Sequence, residues 1–172
     1  MNFYHLLIWM LLPKKLTKRK VLSCLSKIYD PCGLVSLVVT PLKIVVQDCW
    51  KEKLGWDEEV NQHFRRRVEE VLKKFSGGNL ARVSRWLGVA PSQQEYMRLS
   101  LHVFTDASSR AYAAADYLRI EDTEGKVTLN LVASKCRLAP PSGDTISRLE
   151  LLGALLGARL LNSLRQEYHG IL

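Results

Sequence analysis

Apolar residues change their spacing halfway along the chain, from a helical period to a period of two. Residues 101–106 alternate between two sets of side chains, which predicts a strand. Segments 111–120 and 127–136 predict two further strands, joined by a charged hairpin loop. A loop with proline and glycine follows, and a helix is expected over about 147–167. The second half is therefore expected to be a three-stranded antiparallel meander followed by one helix.

The first half is expected to be mostly helical. Residues 20–28 form a short mixed segment, and a buried helix is expected from about Pro41 within the apolar run 34–50. A further helix is well signalled, with Asp57 as its N-cap and Gly77-Gly78 as its end. Residues 79–98 are expected to be irregular. The apolar face of the helix after Asp57 comprises Val60, Phe64, Val68, Val71, Leu72 and Phe75.

Composition fits a globular α+β protein with an uneven charge. Of the 172 residues, 47% are hydrophobic and 24% are charged, and the net charge is +8. Residues 1–98 hold 17 Lys and Arg against 9 Asp and Glu, whereas residues 99–172 hold 8 of each. Five of the cations lie within residues 14–20, a stretch that suits either a polyanion such as nucleic acid or a solvated linker. The run Arg65-Arg66-Arg67 has the same two interpretations.

The spacing of the cysteines and the hydropathy of the N-terminal residues indicate whether the protein binds zinc, forms disulfides or enters a membrane. The four cysteines form no C-x-x-C pair, which predicts reduced thiols in a cytosolic protein rather than a zinc site or a disulfide framework. The apolar run Phe3 to Leu12 is shorter than the roughly 20 residues of a membrane helix. It also lacks the flanks of a signal peptide. We expect no membrane association, with a membrane-anchored product of this run as the alternative.

Two carboxylates stand at positions where they could share a cation. Asp106 ends the first predicted strand, where an aspartate often serves only to form the turn. Glu150 falls in the first turn of the last helix, where Ser147-x-x-Glu150 also fits a capping box. Each residue therefore has a structural interpretation beside a metal-binding one.

Small residues below Glu150 favour the metal-binding interpretation. Gly153, Ala154, Gly157 and Ala158 form a stripe that would let the helix approach the sheet closely and bring Glu150 toward Asp106. Each glycine costs a helix about 1 kcal/mol relative to alanine, which close packing can offset. Two neighbouring acids repel unless a cation neutralises them, and carboxylate oxygens suit Mg²⁺ or Mn²⁺.

Several segments together resemble the polyproteins of BEL/Pao-type retrotransposons. The similarity covers about residues 17–165, in a region often labelled Pao retrotransposon peptidase. The matching segments, in order, are Thr17-Lys18-Arg19-Lys20-Val21-Leu22-Ser23, Ile28-Tyr29-Asp30-Pro31-Cys32-Gly33-Leu34, Lys43 with Gln47-Asp48-Cys49-Trp50, Trp56-Asp57, Leu101-His102-Val103-Phe104-Thr105-Asp106-Ala107-Ser108, Ala111-Tyr112, Tyr117-Leu118-Arg119, Lys135-Cys136-Arg137-Leu138-Ala139-Pro140 and Arg148-Leu149-Glu150-Leu151.

The resemblance implies the end of a reverse transcriptase running into a ribonuclease H domain. It implies two-metal hydrolysis of the RNA strand of an RNA–DNA hybrid, with Asp106 and Glu150 as catalytic metal ligands for Mg²⁺ or Mn²⁺. Ser108, Lys135 and Arg148 are implied contacts to the nucleic-acid backbone. Peptidase activity is not expected, because Gly143-Asp144-Thr145 reverses the order of an aspartic-protease triplet.

Departures from the family pattern predict an incomplete enzyme. Ribonuclease H folds use two further aspartates, whereas Glu167 is the only acid after Glu150. Asp116 shares a strand face with apolar residues, where burial without a partner would be unfavourable unless the strand is an exposed edge.

These expectations define three segments. They are an apolar N-terminal segment (1–16), a mostly helical connection region (17–98) and the N-terminal half of a ribonuclease H-like domain (99–172). The expected protein is a fragment of a retrotransposon Pol polyprotein, inactive alone, in the cytoplasm, a virus-like particle or the nucleus. The alternative is a non-catalytic nucleic-acid-binding or structural remnant.

Overall fold

The expected α+β architecture is confirmed in the computed structural model, which describes residues 14–76 and 98–167. The chain divides into two compact units. The first comprises Met1–Pro31 with Val35–Arg82, and the second comprises Cys32–Leu34 with Val83–Leu172. The predicted segments 1–16 and 79–98 fall mostly outside the described residues, which include only 14–16 and 98 of them.

Within residues 14–76, the first unit contains three helices: α1 (Lys18–Ser26), α2 (Ser36–Lys51) and α3 (Gln62–Ser76). Each places an apolar stripe toward a common core, as the helical spacing predicts. The buried core residues are Leu16, Val21, Leu25, Leu42, Val45, Val46, Cys49, Val60, Phe64 and Val68.

The segment expected to be short and mixed forms helix α1, and the expected start of the next helix is wrong. Residues 18–26 are helical because Thr17 caps them, its hydroxyl accepting from the Lys20 amide. Helix α2 begins at Ser36 rather than at Pro41, and Pro41 lies inside it. Proline removes only one intrahelical hydrogen bond. The Asp30 carboxylate, which accepts from the Val35 amide at 3.0 Å, anchors the chain just before this helix.

The expected N-cap of α3 is also wrong. Asp57 lies outside the helix and forms a bidentate pair with Arg19, at 2.7 and 2.9 Å. Asn61 is the cap, because its side-chain oxygen accepts from the Phe64 amide at 3.0 Å. The helix starts late because the Val60 amide donates to the Leu16 carbonyl, which holds the preceding residues extended.

The second unit contains the predicted meander and helix. Strands β1 (Arg98–Ala107), β2 (Ala111–Glu121) and β3 (Val127–Leu138) form an antiparallel sheet in the order β1-β2-β3. Helix α4 (Ile146–Glu167) follows and packs on one face of the sheet. Local periodicity therefore predicted β1, β2, β3 and α4, the elements described in this unit, within a few residues.

Two glycines set how closely α4 approaches the sheet. A Cβ atom placed on Gly153 would lie 3.6 Å from the Asp106 carbonyl oxygen, whereas one on Gly157 would lie 2.7 Å from Thr105 Cγ2 and 3.1 Å from Val103 Cγ2. Successive turns of α4 therefore meet successively earlier residues of β1. The helix runs antiparallel to β1, so its N-terminus lies at the C-terminal end of that strand.

Two other expectations were that the cysteines are reduced and that the protein does not associate with a membrane. All four cysteines, which lie in the described ranges, are unpaired. Among the helices within residues 14–76 and 98–167, none is both long and apolar enough to cross a membrane. The apolar run at residues 3–12 lies outside the described part of the chain.

Candidate functional site at the end of the sheet

Asp106 lies at the end of β1 and is exposed to solvent. Its side chain has no hydrogen-bond or ion-pair partner within the described ranges. The turn that follows is held by Ser108, whose hydroxyl accepts from the amides of Arg110 and Ala111 at 3.3 Å. Ser108 therefore performs the turn-forming role that the sequence also allowed for Asp106, and the Asp106 carboxylate is available to a ligand.

Glu150 lies in the first turns of α4 and is also exposed. The capping-box interpretation is wrong, because Thr145 caps this helix: its hydroxyl accepts from the Arg148 amide at 3.3 Å. Ser147 is inside the helix, so Glu150 has no capping role. Across residues 14–76 and 98–167, its carboxylate has no hydrogen-bond or salt-bridge partner.

The fold brings the two acids to the same end of the sheet. Gly153 contacts the backbone of Asp106, and Glu150 lies one turn earlier on α4, about 4.5 Å further toward the turn after β1. The two side chains lie on opposite sides of the sheet, because Glu150 is carried by the helix that packs on one face and Asp106 projects from the other. Thr105 faces α4, so by strand alternation Asp106 projects from the opposite face. A cation that both carboxylates bind would therefore lie beyond the end of β1.

The expected packing of small residues of α4 against the sheet is confirmed for the two glycines and wrong for the two alanines. Gly153 and Gly157 are buried against the sheet with Leu149 and Leu156, as close packing requires. Ala154 and Ala158 are exposed. Successive residues are about 100° apart around a helix, so both alanines lie outside the buried arc. Glu150, next to the fully buried Leu149, lies at the border of that arc.

The three residues expected to contact nucleic acid occupy the same end of the sheet. Ser108 is in the β1–β2 turn, where its hydroxyl is already engaged. Lys135 is exposed on β3, paired with Ala114 of β2. Arg148 is exposed at the start of α4, with its Nε 3.4 Å from Asp144 Oδ2.

The sequence reasoning left out a cation at this end of the sheet. Arg137 is exposed on β3, opposite Tyr112 of β2, two residues beyond Lys135. The alternation along β3 was the available signal, because it places Arg137 and Lys135 on the same face.

The donor set at this end suits a hard cation. Two exposed carboxylates without hydrogen-bond partners in the described segments are the ligand type that Mg²⁺ and Mn²⁺ prefer. The described residues contain no group of three or more His, Cys, Asp or Glu side chains that could hold a metal ion. The assignment of Asp106 and Glu150 as metal ligands therefore stays a prediction.

Asp116 is the most unusual acid of the second unit. It lies in the central strand β2, with no exposed surface, and neither carboxylate oxygen has a hydrogen-bond partner within residues 14–76 and 98–167. The exposed-edge explanation is therefore wrong. Burial raises the pKa of Asp116 from its ordinary 3.8 to about 6. Asp116 shares the helix-facing side of the sheet with Ala114, whereas Asp106 projects from the other side, so it is no ligand for a cation there.

The chain is similar to a known protein family. A family model described as a Pao retrotransposon-like RNaseH-like domain matches residues 17–171. The match covers both compact units and all five predicted site residues. No curated protein and no solved structure matched the chain.

Proposed function

The chain belongs to the Pao retrotransposon-like RNaseH-like domain family, and on that premise we propose that it is part of a retrotransposon Pol polyprotein that acts on RNA–DNA hybrids. Asp106 and Glu150 are the proposed divalent-metal ligands. The observation that carries this proposal is that both carboxylates lie at one end of the sheet and that neither has a hydrogen-bond or ion-pair partner among the described residues. The competing roles of turn former and helix cap belong to Ser108 and Thr145.

A bound Mg²⁺ or Mn²⁺ pair would supply an activated water for hydrolysis of the RNA strand and would stabilise the leaving oxygen. This chain contributes carboxylate oxygens from β1 and α4. Lys135 and Arg148 carry the charge that suits the phosphate backbone of the substrate. Ser108 holds the β1–β2 turn and thereby the position of Asp106.

We further propose that the isolated chain does not complete the reaction. Each small divalent cation demands near-octahedral coordination, and two carboxylates supply few of the ligands that a pair of ions needs. The remaining ligands would come from elsewhere in the polyprotein. Binding of a cation is thus a more direct test of the site than turnover.

Removing either carboxylate is expected to weaken Mn²⁺ binding. Loss of a residue that merely orients a ligand often costs about 10-fold in metal affinity, so Asp106→Asn and Glu150→Gln should each cost at least about that, or about 1.4 kcal/mol. The affinity is measured by electron paramagnetic resonance of free Mn²⁺ during titration of the chain. Glu124→Gln is the matched control, because Glu124 is exposed in the β2–β3 turn at the other end of the sheet.

Equal affinity of the wild-type chain and both site variants would refute the metal site. A loss confined to one variant would show that the two acids do not share an ion. Turnover is tested with a labelled RNA–DNA hybrid and Mg²⁺, where the isolated chain is expected to leave the RNA intact. Cleavage that Asp106→Asn abolishes would confirm the site and overturn the proposed inactivity.

A further inference from the structure

Three lysines of residues 14–20 lie together with Arg65, which is 51 residues from Lys14, in the first unit. We define the basic cluster as Lys14, Lys15, Lys20 and Arg65. Arg65 Nη2 donates to the Lys14 carbonyl oxygen at 2.5 Å, and Lys20 Nζ donates to the Lys15 carbonyl oxygen at 2.9 Å. Two cationic groups are thus gathered on a backbone segment whose own two lysine side chains are exposed.

Core contacts fix this arrangement. The Leu16 carbonyl accepts from the Val60 amide at 2.9 Å, and Thr17 forms a β-bridge with Glu59. Leu16 itself is buried. The segment before α1 is therefore held against the chain leading into α3. Because both attachments lie within one compact unit, the basic cluster is a built feature of that unit rather than a chance approach of long side chains.

Within the described residues, Arg65 is the member of the cluster that pairs with an acid. Glu69 lies 3.6 Å from Arg65, a weak pair. Asp57 is engaged by Arg19: its pKa is lowered chiefly by the hydrogen bond from Arg19, with a smaller contribution from Lys15. Within the described residues, Lys14, Lys15 and Lys20 form no salt bridge.

Helix stability does not account for these cations. The first turn of α1 contains three consecutive basic residues, Lys18-Arg19-Lys20, and no acid. Cations near a helix N-terminus oppose the helix dipole and destabilise the helix. Arg19 is offset by its pair with Asp57, and Lys18 donates to the Leu54 carbonyl. Lys20 belongs to the cluster, and its ammonium has three hydrogen-bond donors, of which one is used by the Lys15 carbonyl.

We propose that the basic cluster is a docking surface for the phosphate backbone of duplex nucleic acid, separate from the carboxylates of the second unit. Closely spaced lysine and arginine groups match a polymer that carries a charge about every 1.7 Å along its axis. Backbone phosphates present no sequence information, so binding is independent of base sequence. The choice of nucleic acid as the ligand rests on the proposed function, whereas the surface itself rests on the geometry.

The test measures duplex affinity against salt. Fluorescence anisotropy with a labelled 20-base-pair DNA duplex and the matching RNA–DNA hybrid is recorded for the whole chain. The double variant Lys14→Gln/Lys15→Gln is expected to lower the log–log salt slope by about 2 and the affinity about tenfold near 0.1 M salt. Lys27→Gln/Lys43→Gln is the control, since it removes the same charge from exposed sites beyond the cluster.

Arg65 tests whether the cluster is one surface. Arg65→Gln is expected to reduce affinity for both duplexes although Arg65 is 51 residues from Lys14, and Arg65→Lys, which keeps the charge, should retain most of it. Circular dichroism confirms that each variant is folded. Equal losses for the cluster and control variants, absent binding, or salt-independent binding would each overturn the proposal. Binding to anionic phospholipid vesicles without binding to duplex would overturn it too.

The outcome is separable from that of the metal site. The cluster variants should keep wild-type Mn²⁺ affinity, and Asp106→Asn should keep the salt-dependent duplex affinity contributed by the first unit. If only the cluster variants change duplex affinity and Asp106→Asn leaves Mn²⁺ affinity unchanged, the proposed metal site fails and the docking surface stands. The reverse pattern refutes the docking surface alone.

Discussion

Replacing Asp116 with asparagine is expected to raise the free energy of unfolding of the second unit by about 3 kcal/mol at pH 8. The pKa of this buried carboxyl is raised from 3.8 to about 6, and each unit of such a shift corresponds to about 1.36 kcal/mol. Asparagine removes the ionisation and keeps the size. Asp116→Val should gain more, because it also removes two buried oxygens that have no hydrogen-bond partner.

The surroundings of Asp116 explain why ionisation is unfavourable. Its neighbours across the sheet are Val103 on β1 and Ala133 on β3, and the face of α4 that meets the sheet presents Leu149 and Leu156. Lys135, one pair further along, is the nearest charged residue of β3 on that side, and it is exposed. The carboxylate has no cation or donor partner in the described part of the chain, so burial acts without compensation.

The direction of the pH dependence follows from the raised pKa. The folded state holds its proton more tightly than the unfolded state, so stability is highest below about pH 4 for this group. It falls as the pH rises from about 4 to about 6 and then stays constant, since both states are ionised. Asp116→Asn should therefore match the wild-type chain near pH 4 and exceed it at pH 8.

Hydrogen exchange of the β2 amides measures this effect in the unit that contains Asp116. Protection factors at several pH values give the opening free energy of the strand. Glu124→Gln is the control, because it removes a carboxylate from an exposed turn of the same sheet. An asparagine variant no more stable than the wild-type chain at pH 8 would contradict a buried, ionised Asp116.

Local periodicity was sufficient to predict the second unit. The bounds of the three strands, predicted from alternation, and of α4, predicted from helical spacing, are confirmed within a few residues. Their sequence signals lie within each element, and each connection joins neighbours. The central place of β2, and hence the burial of Asp116, depends on the sheet order, which alternation within one strand does not specify.

Helix starts could not be read from sequence where tertiary contacts compete for the capping residue. Asp57 has the residue type of an N-cap, but Arg19, 38 residues away, binds its carboxylate, and Asn61 caps α3 instead. The start of α4 also depended on a choice between two suitable capping residues, Thr145 and Ser147, and Thr145 is the one that caps the helix. That choice releases Glu150 from the capping box, and the sequence contained no signal for it.

The sequence predicted Asp106 and Glu150 as candidate metal ligands from their places at a strand end and a helix start. The structure shows which residues surround them. Asp106 and Glu150 reach the same end of the sheet because α4 runs antiparallel to β1. A sequence indicates neither this direction nor the opposite faces from which the side chains project. Their shared ion remains a prediction for the Mn²⁺ titration.

Gly157→Leu is expected to lower the free energy of unfolding of the second unit by about 3 kcal/mol, at the upper end of typical overpacking costs. A Cβ atom at this position would lie 2.7 Å from Thr105 Cγ2 and 3.1 Å from Val103 Cγ2. Both neighbours are β-branched and therefore stiff, so they cannot rotate away cheaply. Even Gly157→Ala should lose stability, despite a gain in helix propensity of about 1 kcal/mol.

Gly153→Ala is the matched control for this prediction. Its Cβ atom would lie 3.6 Å from the Asp106 carbonyl oxygen and 3.7 Å from that of Ala113, which are ordinary contacts. This variant should therefore gain up to about 1 kcal/mol from helix propensity. Urea unfolding followed by far-UV circular dichroism, with exchange of the β2 amides, measures both variants. Equal effects of alanine at the two positions would contradict the close approach at Gly157.

Close packing at Gly157 also links stability to the candidate site. A leucine there would push α4 away from β1, and the first turns of α4 carry Glu150. The Mn²⁺ affinity of folded Gly157→Leu should therefore fall, whereas Gly153→Ala should keep it. If Gly157→Leu unfolds under these conditions, Gly157→Ala provides the same comparison with a smaller displacement. An unchanged Mn²⁺ affinity in a destabilised Gly157 variant would show that the position of Glu150 does not depend on this contact.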